Sequence, residues 1–201
     1  MSKVSLSEKI KVTTEPWLMP VVRVLIQCRV HPNVVTLLCF LGFLVSAFFI
    51  AQGKFFLAGL LLIFFAPLDA IDGLLARASN RVSSFGAFLD STMDRYGEIV
   101  IFLSLTYYFI LKGSISGIIL CFLGITGSLM VSYTRARAEG LGFECKIGLL
   151  TRLERITLLI ISLILDTIFI FLILLSLFTH LTALQRIWHV YRTSKVYSVN
   201  S

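Results

Sequence analysis

The sequence predicts an all-α membrane protein with six transmembrane helices and one interfacial amphipathic helix before them. The 201-residue chain is 57% hydrophobic, with a mean hydropathy of +0.92, well above the balance of a soluble domain. Its long apolar runs are separated by short polar turns, which is typical of polytopic membrane proteins. The net charge of +7 indicates a cytoplasmic membrane face and no nucleic-acid partner, because the basic residues gather between the apolar runs.

Residues 1–31 are expected to form a cytoplasmic N-terminus with a juxtamembrane helix. Residues 1–15 are charged and lack apolar periodicity, which favours a solvated terminus. From residue 16 to 29, apolar side chains recur at helical spacing, which is typical of a helix that lies in the membrane interface or caps the bundle. Pro32 then ends this helix and begins the next one.

Residues 32–192 are expected to form the membrane domain, and residues 193–201 a disordered tail. Pro67 interrupts the second apolar run, so we expect a kink there. A single helix over residues 149–192 would be about 65 Å long, about twice the hydrocarbon thickness, so it must fold back near Asp166. The spans are therefore predicted at residues 34–50, 55–77, 85–111 and 115–131, with two more between 149 and 192.

The distribution of basic residues predicts the orientation in the membrane. Six spans place both termini on one side, together with the loops after the second and fourth spans. That side holds all of the 18 Lys and Arg residues except Lys54 and Lys112. The positive-inside rule therefore predicts that it faces the cytoplasm, as in a multi-pass protein of the cell (inner) membrane.

Four aspartates lie within this otherwise apolar sequence. Asp69 and Asp72 are three residues apart, and Asp90 and Asp94 are four apart, so each pair projects from one face of its helix. An uncompensated Asp at the bilayer centre costs roughly 2.5 to 3.5 kcal/mol, so the four require countercharge. Hard oxygen ligands without His or Cys suit Mg²⁺ or Mn²⁺. The alternatives are an ion-paired helix interface without chemistry and the ion site of a cation transporter.

The aspartates belong to a longer pattern, D-x-x-D-G-x-x-A-R-x8-G-x3-D-x3-D. Its glycines and alanine would allow the two helices to pack directly against each other. The pattern resembles the signature of the CDP-alcohol phosphotransferase family, which has these eight residues at these spacings. The resemblance implies a homodimeric integral membrane enzyme that uses two divalent ions per site, splits a CDP-activated lipid and releases CMP. The eight residues are Asp69, Asp72, Gly73, Ala76, Arg77, Gly86, Asp90 and Asp94.

The resemblance also implies a role for each carboxylate. Asp69 and Asp90 would bridge both metal ions, while Asp72 would bind one ion and Asp94 the other. Asp94 also matches the position of the proton acceptor, so it is the expected catalytic base.

The CDP-lipid is expected to bind beside these carboxylates. Gly73 would leave room for the nucleotide against the helix backbone, and Arg77 would pair with its phosphates through a forked guanidinium. Ser83 matches a position that contacts the CDP-lipid in similar enzymes, although a plain helix N-cap is the alternative. A helix start is likewise the alternative for four further matched positions, Pro32, Asn33, Val34 and Val35.

A group of basic residues near the ends of the fourth and fifth spans predicts an acceptor that carries phosphate. Its segments SYTRARAEGLG and RLER resemble those of phosphatidylinositol-phosphate synthases, which use inositol 1-phosphate, and depart from them at Arg135, where Lys is as frequent. Topogenic charge is the alternative explanation. Glycerol 3-phosphate remains an alternative acceptor, and CDP-inositol an alternative donor. The expected acceptor residues are Ser132, Arg135, Arg137, Arg152 and Arg155.

Overall fold

The computed structural model describes residues 6–145 and 147–199, which form eight α-helices and no strands. The all-α prediction is confirmed. Within these residues, four segments are long and apolar enough to cross a membrane: Pro32–Ala51, Phe55–Ala78, Ile115–Gly140 and Ile168–Lys195. The helices are α1 (Leu6–Gln27), α2 (Pro32–Ala51), α3 (Phe55–Phe65), α4 (Leu68–Ala78), α5 (Ser84–Leu111), α6 (Ile115–Gly140), α7 (Arg152–Ile164) and α8 (Ile168–Val199).

The second predicted span is divided in two at Pro67, which confirms the expected kink and extends it to a break. Pro67 has no N–H to donate, so α3 ends at Phe65 and α4 restarts at Leu68. The amide of Asp69 then bonds to the carbonyl of Ala66 at 3.3 Å, while Cys39 Sγ of α2 donates to the carbonyl of Phe65 at 3.4 Å. The restart places Asp69 in the first turn of α4.

The predicted fold-back near Asp166 is also confirmed. Asp166 has a φ of 53°, in the left-handed region, and reverses the chain between α7 and α8. Beyond it the structure differs from the expectation, because α8 continues to Val199 and so includes residues 193–199 of the predicted disordered tail. Cation–aromatic contacts extend along this end of the helix: Arg192 lies 5.2 Å from the ring centre of Trp188.

Helix α1 is longer than the sequence indicated and packs against the bundle. It begins at Leu6, within the segment that was expected to be a solvated terminus; residues 1–5 of that segment lie outside the described residues. Val22 is fully buried in a small cluster with Val35 of α2 and with Ile71, Leu74 and Leu75 of α4. This contact matches the bundle-cap alternative, while Trp17 on the same helix is 83% exposed.

Helix α2 is central to the arrangement, because it packs against α3, α4 and α5. Direct packing of α4 on α5 through their glycines was expected, and the structure differs: the glycines of α5 approach α2 instead. A Cβ on Gly97 would lie 3.2 Å from the Phe43 ring, and one on Gly86 would lie 3.4 Å from Asn33 Oδ1. The carboxylate-bearing helices are therefore aligned by a third helix.

Candidate active site

Three of the four aspartates meet at one point. Asp69 projects from the first turn of α4, and Asp90 and Asp94 project from successive turns of α5. One carboxylate oxygen from each lies within 4.8 Å of the other two. The three-residue group arises because α2 holds the start of α4 beside the first half of α5.

Asp72, the fourth aspartate, lies on the wall of the same cavity but outside this group of three. It is 5% exposed, and its Oδ2 accepts a hydrogen bond of 2.6 Å from Thr36 Oγ1 of α2. A hydrogen bond to an ionised acceptor is stronger than one between neutral groups, so Thr36 fixes the orientation of this carboxylate. The other walls of the cavity are apolar and include Phe40, Phe43 and Met93.

The carboxylate group fits a hard divalent cation. Asp90 Oδ1 is buried and, within the described part of the chain, has no hydrogen-bond partner. A buried polar atom without a partner is costly, and a bound cation would satisfy it. Two arginines, Arg95 and Arg152, contact the group, which leaves four carboxylates with incomplete countercharge. Oxygen ligands without His or Cys favour Mg²⁺ or Mn²⁺.

Arg152, at the start of α7, lies between two of these carboxylates. Its Nη1 is 2.5 Å from Asp69 Oδ1, and its Nη2 contacts Asp94 Oδ1. The side chain is 18% exposed. Arg95 contacts the other oxygen of Asp94, Oδ2, at 3.3 Å. Arg152 was predicted to bind the acceptor; in the structure its guanidinium contacts two members of the carboxylate group.

The remaining predicted acceptor residues lie in different surroundings. Arg155 is 4% exposed and donates from Nη2 to Glu98 Oε1 at 2.6 Å. Arg135 forms an exposed ion pair of 2.8 Å with Glu139. Arg137 is exposed, and the hydroxyl of Ser132 donates to the carbonyl of Ser128 at 3.3 Å.

Arg186 of α8 is a candidate site residue that the sequence analysis missed. It is 4% exposed, and it donates from Nε to the carbonyl of Ile147 at 2.8 Å and from Nη1 to the carbonyl of Val131. Arg135, Arg155 and Glu139 lie within electrostatic range of it. Within the described residues, no carboxylate lies at ion-pair distance from Arg186. Placing an arginine inside an apolar span costs free energy, and this feature of the sequence could have identified Arg186 as a candidate.

The predicted donor residues lie around the start of α5 and the end of α4. Arg77 is exposed and contacts Glu15 of α1 at 3.5 Å. One turn earlier, a Cβ on Gly73 would contact only Arg77 Nη1, at 3.6 Å, so this helix face is open. Ser83 caps α5 by accepting from the amide of Gly86 at 3.0 Å.

The four matched positions at the start of α2 differ in exposure. Asn33 Oδ1 lies beside Gly86, next to the Ser83 cap. Val34 is 47% exposed, whereas Val35 is buried with α1 and α4. Pro32 is buried in the first turn of the helix. Packing therefore accounts for Pro32 and Val35, and Asn33 is the polar group of this segment that faces the donor residues.

Comparison with known proteins gives a consistent result. Residues 29–191 match the family model described as CDP-alcohol phosphatidyltransferase. An archaetidylinositol phosphate synthase of Pyrococcus horikoshii is 36% identical, over 79% of this chain and 82% of its own. A phosphatidylinositol phosphate synthase of Cutibacterium acnes is 33% identical, over 71% of this chain and 70% of its own.

Solved structures of one enzyme share the fold. The crystal structure of Mycobacterium tuberculosis phosphatidylinositol phosphate synthase with CDP-DAG bound has a TM-score of 0.80 and 26% identity, covering 87% of this chain and 93% of that one. The structure of the same enzyme with manganese and citrate also has a TM-score of 0.80 and 26% identity, covering 87% and 88%.

Proposed function

Since this chain belongs to the CDP-alcohol phosphatidyltransferase family, we propose that it transfers the phosphatidyl group of CDP-diacylglycerol to a hydroxyl of inositol 1-phosphate and releases CMP. It is an enzyme of phospholipid biosynthesis. The observation that carries the proposal is the convergence of Asp69, Asp90 and Asp94 from two helices in one cavity. A transporter or an inert helix interface does not require the glycines and Arg77 at the family spacing.

The carboxylates would hold two divalent ions, either Mg²⁺ or Mn²⁺. Asp69 and Asp90 are proposed to contact both ions, Asp94 one of them, and Asp72 the other from its position on the cavity wall. When bound, such ions neutralise charge on the pyrophosphate oxygens and on the departing CMP. The manganese in the related M. tuberculosis enzyme supports this part of the proposal.

The donor nucleotide is proposed to bind along the open face of α4. Gly73 leaves space beside the backbone there, and Arg77, one turn later, presents a planar guanidinium for phosphate oxygens. Asn33 and Ser83 lie beside Gly86 at the start of α5, and their polar atoms are proposed to contact the nucleotide as well. Donor binding would replace the weak, exposed contact between Arg77 and Glu15.

Asp94 is proposed to be the general base. Its carboxylate would accept the proton from the acceptor hydroxyl while that oxygen bonds to the lipid-linked phosphorus and the bond from phosphorus to the CMP oxygen breaks. Asp94 suits this role because it lies one helical turn before Glu98 on α5, and Glu98 pairs with Arg155 of the proposed acceptor group.

The acceptor phosphate is proposed to bind Arg186, with Arg135 and Arg155 within electrostatic range of it. Arg186 supports this proposal because it is buried yet bonded only to backbone carbonyls among the described residues. A buried guanidinium with no anionic partner favours a ligand that brings one. Ser132 and Arg137, on the last turns of α6, complete the proposed pocket.

We also propose a six-span topology with the active site at the cytoplasmic face of the cell membrane, and a homodimer as the assembled form. The basic residues support this orientation, because those of the described helices lie mostly at the end that carries the site. Residues 32–192 are proposed to form the six-helix transmembrane transferase domain.

An acceptor panel with the purified protein tests the proposed reaction. With CDP-diacylglycerol and Mg²⁺, we expect CMP release and a phosphorylated inositol lipid from inositol 1-phosphate, and little product from free inositol. Arg186→Ala should raise the acceptor KM about 10- to 100-fold, because a charge-assisted contact contributes roughly 1.5 to 3 kcal/mol. Arg192→Ala, farther along α8, is the matched control and should leave KM unchanged. Equal rates with free inositol, or a preference for glycerol 3-phosphate, would contradict the acceptor assignment.

A further inference from the structure

The position of Arg152 raises the question of what this side chain does within a group of metal-ligating carboxylates. Its guanidinium contacts Asp69 Oδ1 at 2.5 Å through Nη1 and Asp94 Oδ1 through Nη2. Both acceptors belong to the group whose oxygens lie within 4.8 Å of one another. The guanidinium therefore lies against the oxygens that a divalent ion would use.

A guanidinium and a metal ion would compete for these oxygens. An ion held at roughly 2.0 to 2.2 Å from Asp69 Oδ1 and Asp94 Oδ1 would use lone pairs that now accept from the guanidinium. The guanidinium and a divalent ion bound to the same carboxylates would also repel each other strongly in a partly buried cavity. Binding of a metal to Asp69 Oδ1 and Asp94 Oδ1 therefore favours displacement of the Arg152 guanidinium.

The surroundings of Arg152 allow that movement. It is the first residue of α7, where the amide of Thr151 donates to Glu154 Oε2 and fixes the helix start independently of the arginine head group. Its Nε is buried and lacks a hydrogen-bond partner among the described residues, so two carboxylate contacts hold the head group. Rotation about the long side chain can release the guanidinium without displacing α7.

We propose that Arg152 is an internal counter-cation, which pairs with Asp69 and Asp94 until a divalent ion binds and which competes with that ion for their oxygens. This inference rests on the proposed metal binding by the carboxylates. It assigns Arg152 a role in metal affinity that differs from the acceptor role expected from its sequence. The competition keeps the carboxylates neutralised before the metal arrives, and it makes the metal affinity of the wild-type protein lower than that of the carboxylates alone.

Calorimetric titration of Mn²⁺ into the purified full-length protein, without substrates, tests the competition. We expect Arg152→Ala to bind Mn²⁺ about 10-fold more tightly than wild type, a difference of about 1.4 kcal/mol. Arg95→Ala is the matched control, because it removes an equal charge that contacts Asp94 through the other oxygen, Oδ2. Removing this partly exposed charge should tighten Mn²⁺ binding by less than about 3-fold, because solvent and salt screen its interaction with the ion. Equal gains from both variants, or unchanged or weaker binding in Arg152→Ala, would overturn the proposal.

Thermal unfolding provides a second readout that needs no turnover. In excess chelator, Arg152→Ala should unfold at a lower temperature than wild type, and saturating Mn²⁺ should raise its Tm by more than it raises that of wild type. Arg152→Gln is neutral and keeps a longer polar side chain than alanine, so it replaces the alanine variant if that protein does not fold, and the same outcomes apply. Wild-type protein without measurable Mn²⁺ binding would refute the metal proposal itself. If the wild-type protein binds Mn²⁺ but neither Arg152→Ala nor Arg152→Gln binds it more tightly, only the role of Arg152 would be refuted.

Discussion

The buried ion pair between Glu98 and Arg155 allows a prediction of stability whose size follows from the structure. Glu98 accepts from Arg155 Nη2 at 2.6 Å and from Ser128 Oγ at 2.7 Å. The two charged side chains are only 8% and 5% exposed. Removing one partner of a buried pair leaves an uncompensated charge and costs about 3 to 5 kcal/mol. At about 2 to 4 °C per kcal/mol for a chain of this size, Glu98→Ala should lower the Tm by about 6 to 20 °C.

The protein contains a matched control in the pair formed by Arg135 and Glu139. These side chains lie 2.8 Å apart, but they are 50% and 46% exposed. Exposed pairs contribute about 0 to 1 kcal/mol, so Glu139→Ala should shift the Tm by less than about 4 °C. The measurement is thermal unfolding of both variants in the same detergent. Similar decreases in Tm for the two variants would show that the buried pair does not stabilise the protein by about 3 to 5 kcal/mol.

A double variant separates the stability of this pair from its proposed function. Glu98→Leu with Arg155→Met replaces both charges by apolar groups, which is often neutral or stabilising, and should recover most of the lost Tm. If the recovered protein shows an acceptor KM that is about 10- to 100-fold higher, Arg155 binds the acceptor as proposed. An unchanged acceptor KM would limit Arg155 to a structural role.

Three further outcomes test the site and the topology. Asp94→Asn should lower turnover by about 10²- to 10⁴-fold while CDP-diacylglycerol binding, measured by calorimetry, persists, because the amide cannot accept the proton; activity near wild type would contradict the base assignment. Thr36→Val should weaken Mn²⁺ affinity by up to about 10-fold, since Asp72 loses its orienting donor; unchanged affinity would remove Thr36 from the site. In sealed vesicles, Ser84→Cys should react from the cytoplasmic side and Ser116→Cys from the opposite side, and the reverse pattern would overturn the proposed orientation.

Much of the carboxylate site could be predicted because it depends on the spacing of residues within single helices. Asp90 and Asp94 share a helix face through their four-residue spacing alone, whatever the helix packs against. The break at Pro67 and the reversal at Asp166 could be predicted for a similar reason, since proline chemistry and helix length are properties of the segment itself. These three predictions, each of which depended on one segment, therefore agree with the structure.

The contacts between segments could not be obtained in the same way. Thr36 resembles any other residue of an apolar span, and only the packing of α2 against α4 brings it to Asp72. Arg152 was grouped with the other arginines because the sequence shows its charge but not its partner. Which carboxylates it contacts depends on the three-dimensional packing of α7 near α4 and α5. Arg186 was overlooked although an arginine in an apolar run is a usable signal by itself.

The interrupted helix at Pro67 also affects how the protein can be engineered for labelling. Because Asp69 bonds to the carbonyl of Ala66, the carbonyl of Phe65 receives the thiol of Cys39, which is 5% exposed. Alanine at position 39 would leave this part-buried carbonyl without that donor, whereas serine retains a hydroxyl. A cysteine-free template should therefore carry serine at position 39, while the exposed Cys28 tolerates either replacement.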